Sequence, residues 1–149
     1  MMYTNLTTPN SVKTIEEKAQ EVMMSFGRAS MKGDLIDRFY QIFLASHPTI
    51  RPRFQNTDFE KQKALLKQGV NLIIMYAKGN IVGKTGLERI RDTHQKSKMN
   101  IPPQLYSYWT QSLLKAISEM DPKFNSELEK FWKEIVARGV EFIIDGYNK

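Results

Sequence analysis

The chain has 149 residues, enough for one domain with one core and too few for two. Hydrophobic residues make up 41% and charged residues 26%, no apolar run nears the roughly 18 residues that span a bilayer, and cysteine is absent. Membrane spans, disulfides and thiolate chemistry therefore drop out, and a cytoplasmic location is the expectation. The net charge of +6 permits an acidic partner, but the basic residues are scattered among acidic ones with no basic tract, which leaves nucleic-acid binding a minor alternative.

"MMYTNLTTPN", residues 1–10, shows neither helical periodicity nor a secretory pattern and reads as a flexible segment before a single domain over residues 11–147. The motif Ser/Thr-x-x-Glu then recurs, in which the hydroxyl caps a free backbone N–H and the glutamate reaches back to the cap residue. Thr14/Glu17 opens a first helix through Ile15, Ala19, Val22, Met23 and Phe26, ending at Gly27. A second follows Gly33-Asp34 with Leu35, Phe39, Ile42 and Phe43 and stops before Pro48. Thr57/Glu60 opens a third and Thr85/Glu88 a short fourth. The fifth follows Pro102-Pro103 with Leu105, Trp109, Leu113, Leu114 and Ile117 and stops before Pro122. Ser126/Glu129 opens the last, through Leu128, Phe131, Trp132, Ile135, Val136, Val140 and Ile143 to Gly146. With no strand-like alternation, the spacing predicts an all-α fold of six main helices.

Two helices carry exceptions on their apolar faces. On the third, Gln62, Leu66, Gly69 and Ile73 share one stripe, with a long amide at its start and a missing side chain in its middle. Either something other than a side chain fills that gap, or a helix crosses closely at Gly69 while Gln62 reaches solvent. Tyr40, beside Phe39 at the border of the facing stripe, either brings a hydroxyl inward or rests at the core's edge. On the fourth helix, Leu87, Ile90 and His94 share a face, which carries the imidazole inward; the alternative is a partly exposed surface histidine. An inward imidazole needs partners for both nitrogens. The Thr93 hydroxyl can orient the ring, and the other nitrogen is left for a metal, a water or a carbonyl. No cysteine, second inward histidine or carboxylate cluster converges there, so a protein-only zinc or iron site lacks ligands. A metal held by one imidazole requires a cofactor that supplies the rest, and haem offers four nitrogens.

At these residues the chain resembles the globin family, specifically bacterial single-domain globins. "FYQIFLASHPTIRPRF" is similar to the globin run in which a His-Pro pair precedes, by six residues, the phenylalanine wedged against haem; this maps Pro48 and Phe54. "FQNTDFEKQKALL" resembles the joint of truncated globins, with Gln62 eight residues after that phenylalanine, at the distal position. Leu66 follows over the iron, Phe39-Tyr40 matches the pair whose tyrosine points at a gas ligand, and His94 followed by "MNIPPQLYSYW" matches the proximal histidine and the next helix. The resemblance implies a globin fold around a haem pocket, with no separate fourth (D) helix. It implies haem b with His94 as its metal ligand, the space at Gly69 occupied by the cofactor, and Ile90, Thr93 and Ile101 on the histidine side. Lys98 or Lys96 would reach a haem propionate. His47 maps outside the pocket. The function implied is reversible binding of oxygen, carbon monoxide or nitric oxide, as carrier, store or sensor. The alternatives are nitric-oxide dioxygenation with an external reductase, the chain carrying no flavin or nicotinamide module, and a haem-free globin-fold interaction module. Two departures stand out. The interval from His94 to Ile101 runs a residue or two long, and "EFIIDGYNK" lacks an in-register glutamate to support the histidine, Asp145 being the nearest acid. The second weighs against inherited nitric-oxide dioxygenase or peroxidase chemistry.

Overall fold

All six expected helices form in the computed structural model, which describes residues 12–148; the segment expected to be flexible, 1–10, lies outside them. They are α1 (Ile15–Ala29), α2 (Leu35–Ala45), α3 (Phe59–Ala77), α4 (Ile81–His94), α5 (Leu105–Met120) and α6 (Ser126–Ile144), with one 3-10 turn (Arg51–Phe54) between α2 and α3. Among the described residues there is no strand, and no helix separates that turn from α3.

The caps differ from expectation in instructive ways. At α1 the reciprocal Thr14/Glu17 pair forms as read, the Thr14 hydroxyl accepting from Glu17 N–H at 3.1 Å and Glu17 accepting from Thr14 N–H at 2.8 Å. This helix does not stop at Gly27. It continues to Ala29, whose burial adds to the core, and the chain reverses only at Gly33, where φ is +83°. At α3 the cap is Asp58 instead of Thr57, because the Asp58 carboxylate reaches the N–H groups of Glu60 and Lys61. Asn125 likewise displaces Ser126 at α6, its amide oxygen accepting from Leu128 N–H at 2.8 Å. The start expected at Thr85 is wrong: α4 begins at Ile81, capped by Asn80 on Val82 N–H at 2.8 Å, and Thr85 lies exposed in mid-helix. Gly79, with φ +78°, makes the break that allows this earlier start.

The helices sort into partners. α1 packs on α6 and α2 on α5, while α3 and α4 form a tight hairpin that also rests on α6. Gly83 and Gly86 permit that hairpin, since a Cβ at Gly83 would meet the main chain of Tyr76 and one at Gly86 the side chain of Leu72. Trp132, Phe39, Leu35, Leu113 and Ile117 are fully buried in the common core. Neither α3 nor α4 packs substantially on α5, and α2 meets α3 only lightly. A crevice therefore lies between the α3–α4 hairpin and the α2–α5 pair.

Candidate functional site

The residues that broke the apolar stripes mark this crevice. Gly69 sits on α3 with nothing within 4 Å of where a Cβ would stand, so its gap faces open space and not a crossing helix. One helical turn earlier, Leu65 is left 49% exposed, an apolar side chain with no partner, while Leu66 is buried. Gln62 is half-buried.

Tyr40 spans one end of the crevice. It is only 5% exposed, and its hydroxyl donates to the main-chain oxygen of Gln62 at 3.5 Å, so α2 and α3 meet here through the tyrosine and not through the glutamine amide. Burial raises the Tyr40 pKa, and the Gln62 side-chain amide only partly opposes this. The hydroxyl remains a donor at neutral pH. Phe54, half-buried in the 3-10 turn, lies 6.1 Å from the rings of Tyr40, Phe43 and Phe59.

His94 is the last residue of α4. The Thr93 hydroxyl donates to the carbonyl of Ile90 at 3.0 Å and lies 3.1 Å from His94 Nδ1. Because the hydroxyl proton is already used, Thr93 Oγ1 can only accept from the ring, which fixes the proton on Nδ1 and leaves the Nε2 lone pair outward. No described residue hydrogen-bonds Nε2. Burial pushes the His94 pKa below its ordinary value, with the Ile90 carbonyl pulling partly the other way, so the ring is neutral at pH 7. It can therefore coordinate a metal. Among the described residues no three His, Cys, Asp or Glu side chains converge, so a metal at Nε2 must bring its remaining ligands with it.

The remaining expected residues divide. Ile90 and Ile101 are half-buried, and Ile101 N–H donates to the His94 carbonyl at 3.3 Å. Lys96 and Lys98 are exposed. Asp145 is an exposed residue at the C-terminal cap of α6, with no hydrogen bond to His94. The His47 ring lies 4.9 Å from that of Tyr108, tilted at 50°, and accepts from Thr49 N–H at 3.2 Å. Two surface depressions of about 550 and 580 Å³ flank the 3-10 turn; Tyr40 and Phe59 line the second, and neither includes His94.

The sequence did not point to Tyr106. Its ring lies 6.5 Å from that of His94 at 35°, bridging α4 to the start of α5, and burial pushes its hydroxyl pKa up. The only signal was its position three residues before Trp109, on one face of α5. Also missed was a hydrogen bond from Tyr147 to Asn100, in the loop after the histidine.

Fold and site together define an all-α protein with a half-buried histidine ending α4 and an unfilled gap at Gly69 on α3. The chain is 35% identical to a Pseudomonas aeruginosa protein of known crystal structure, described as structurally highly homologous to a human hemoglobin. That match covers 89% of this chain and 99% of the other, with a TM-score of 0.85. The chain belongs to the globin family. No protein-family model matches it, and no curated protein does.

Proposed function

We propose that this globin holds haem b with His94 as its only protein ligand to iron and reversibly binds diatomic gases. The observation that carries this reading is the pairing of a neutral imidazole, Nδ1 tied to Thr93 and Nε2 unpartnered, with the open space beside Gly69. This donor set fits haem, which asks the protein for one axial nitrogen. Held by His94, haem would supply an iron able to take up oxygen, carbon monoxide or nitric oxide.

The chain's own residues then have distinct tasks. Thr93 and the Ile90 carbonyl hold the imidazole in one tautomer. Phe54 would pack an aromatic face against the cofactor, Leu66 and Leu65 would limit water on the gas side, and Lys96 or Lys98 would pair with a propionate. The Tyr40 hydroxyl and the Gln62 amide would be the hydrogen-bond donors for a gas held there. Each net hydrogen bond contributes about 1 kcal/mol, so the two together slow oxygen release by roughly tenfold or more. Slow release suits sensing, or nitric-oxide dioxygenation with an external reductase, better than transport.

The test is an absorption spectrum of the purified chain with added haem, oxidised, reduced and under carbon monoxide, for the parent, His94→Ala and His47→Ala. The parent and the His47 variant should give the same spectra, and the His94 variant should lose haem or its axial imidazole. A parent that takes up no haem would favour the interaction module. A His94 variant with an unchanged ferrous spectrum would remove His94 from the metal. Nitric-oxide turnover with a supplied reductant separates the dioxygenase from the gas binder.

A further inference from the structure

The net charge of +6 is not spread over the whole chain. Residues 51–98, which run from the 3-10 turn through α3 and α4 into the loop after His94, hold eleven Lys and Arg against four Asp and Glu, a surplus of seven. The remainder holds eleven against twelve and is close to neutral. Ion pairing follows the same division. Among the described residues, six basic side chains outside the segment meet a carboxylate, and within it Lys63 alone does.

Unpaired charge and uncovered apolar surface come together at the corner where α3 turns into α4. Ile81 and Val82 open α4 at 71% and 57% exposure, directly beyond the Asn80 cap and the positive-φ Gly79. Lys84 follows within the first turn, exposed, and Glu88 one turn further along forms no ion pair with it. Lys78, at the C-terminal cap of α3, donates to Gln20 Oε1 at 2.7 Å and lies 3.6 Å from the Met23 sulfur, which ties the corner to α1. From there the outward side of α1 carries no charge. Every exposed residue from Gln20 to Met31 is uncharged, with Met23 and Met24 open where an outer helix face ordinarily has charged side chains.

We propose that this corner, with Ile81 and Val82 at its tip, Lys78 and Lys84 beside them and Met23 and Met24 next to Lys78, docks on an anionic lipid membrane. Among the described residues no helix is long and apolar enough to cross a membrane, so the contact is peripheral: the apolar side chains enter the headgroup boundary and the ammonium groups meet lipid phosphates. Other occupants fit less well. In two-fold pairing with a second copy the same patch would face itself, setting lysines against lysines on chains that each carry +6. A protein partner would call for rigid aromatic or arginine anchors, and this corner offers flexible methionines and two aliphatic side chains on a helix-to-helix turn. The proposal does not rest on the haem reading.

The experiment is co-sedimentation of the full chain with vesicles of phosphatidylcholine alone and of phosphatidylcholine mixed equally with phosphatidylglycerol. The mixed vesicles should bind the chain, the neutral ones should not, and added salt should release it. Lys78→Gln with Lys84→Gln should weaken binding about twentyfold, at roughly fivefold for each lysine near the surface. Ile81→Ser with Val82→Ser should weaken it about as much by withdrawing the inserted groups. Lys123→Gln with Lys130→Gln removes the same charge from two exposed positions elsewhere and should leave binding within about twofold of the parent. Because the chain lacks cysteine, Val82→Cys can carry a single polarity-sensitive dye, which should shift blue on the mixed vesicles, whereas the same dye on Lys130→Cys should not. Equal losses from the two lysine pairs would reduce the effect to net charge and overturn the proposal, as would unchanged binding by the serine pair. A chain that ignores both vesicles also overturns it, and a dimer that the serine pair dissolves would then give the corner to a second copy. A blue shift at Val82→Cys with polyglutamate as large as with vesicles would assign the corner to an acidic protein instead of a lipid surface.

Discussion

Asp121 and His94 both end helices, both are drawn out of water, and both titrate below their ordinary range, yet their surroundings do opposite things. Asp121 caps α5 with 3% of its surface exposed. Burial alone would push its carboxyl up, but donors on every side outweigh burial and hold it down and charged. Arg28 Nε and Nη2 donate at 2.7 and 3.0 Å, Ser25 Oγ at 2.6 Å and Lys123 N–H at 2.9 Å, while Trp132 Nε1 donates to Ser25 at 2.9 Å. At His94 burial is the cause that wins, which keeps the ring neutral with one nitrogen unspent. A closed polar network joins α1, α5 and α6 and has nothing left to offer a ligand. Elsewhere the chain leaves open space beside Gly69, a half-exposed Leu65 on the same helix, and a ring nitrogen of His94 without a described partner.

Breaking the closed side should have the larger effect. Asp121→Ala leaves the Ser25 hydroxyl and a partly buried guanidinium without their acceptor and should cost about 3 kcal/mol, the low end for a broken buried ion pair because Arg28 retains some solvent. Chemical denaturation measures this. The haem spectrum, recorded where the variant is still folded, should not change. The native pKa of Asp121 lies below that of the unfolded chain, so the unfolded state binds the proton first. The stabilisation is therefore complete above the ordinary aspartate value near 4 and is lost as pH falls through the native value; the variant's acid limb should flatten there. An equally stable variant would show that Arg28 and Ser25 find other partners.

Filling the open side should have a smaller effect of mixed sign. Gly69→Leu places a side chain where nothing stands within 4 Å and replaces a mid-helix glycine. The haem-free chain should gain about 0.5–1 kcal/mol from the helix backbone. Haem affinity should fall about tenfold to a hundredfold, the cost of overfilling an occupied volume. Thermal denaturation and haem titration read the two signs. Unchanged affinity would detach that space from the cofactor.

The helix count was legible because a 3.6-residue apolar period and proline boundaries are local signals. Cap positions were less so. Asp58 and Asn125 compete with the neighbouring hydroxyls for the same free N–H groups, and Ser/Thr-x-x-Glu spacing cannot rank them. The α4 start was hidden because Ile81 and Val82 face solvent at 71% and 57% exposure, so the first turn shows no apolar period. Gly83 and Gly86, unfavourable by propensity inside a helix, are close-contact residues against α3. His94, Gln62 and Gly69 were legible as exceptions on otherwise apolar stripes, and Tyr40 and Phe54 took their places from the family register. Tyr106 and Tyr147 were not, since their partners lie on other elements and nothing in their own neighbourhood marks them.

The smallest effect concerns the distal pair and separates two meanings of one hydrogen bond. The Tyr40 hydroxyl donates to the Gln62 carbonyl at 3.5 Å, the outer limit of such contacts, so little is lost if it turns to a stronger acceptor in the crevice. On that reading Tyr40→Phe keeps the packing against Phe54 and Phe59 and removes only the donor. Oxygen should then dissociate about tenfold faster, a loss near 1.4 kcal/mol, while carbon monoxide, a poorer acceptor, changes far less. Gln62→Leu should act in the same direction, and the double variant should be non-additive because two donors share one acceptor. On the rival reading the hydroxyl merely pins α2 to α3. The phenylalanine variant would then lose some stability, and both gases would leave at rates within about twofold of the parent, well inside what one hydrogen bond commands. Stopped-flow dissociation of oxygen and carbon monoxide from the four proteins decides between them, because only a donor aimed at the ligand can tell the two gases apart.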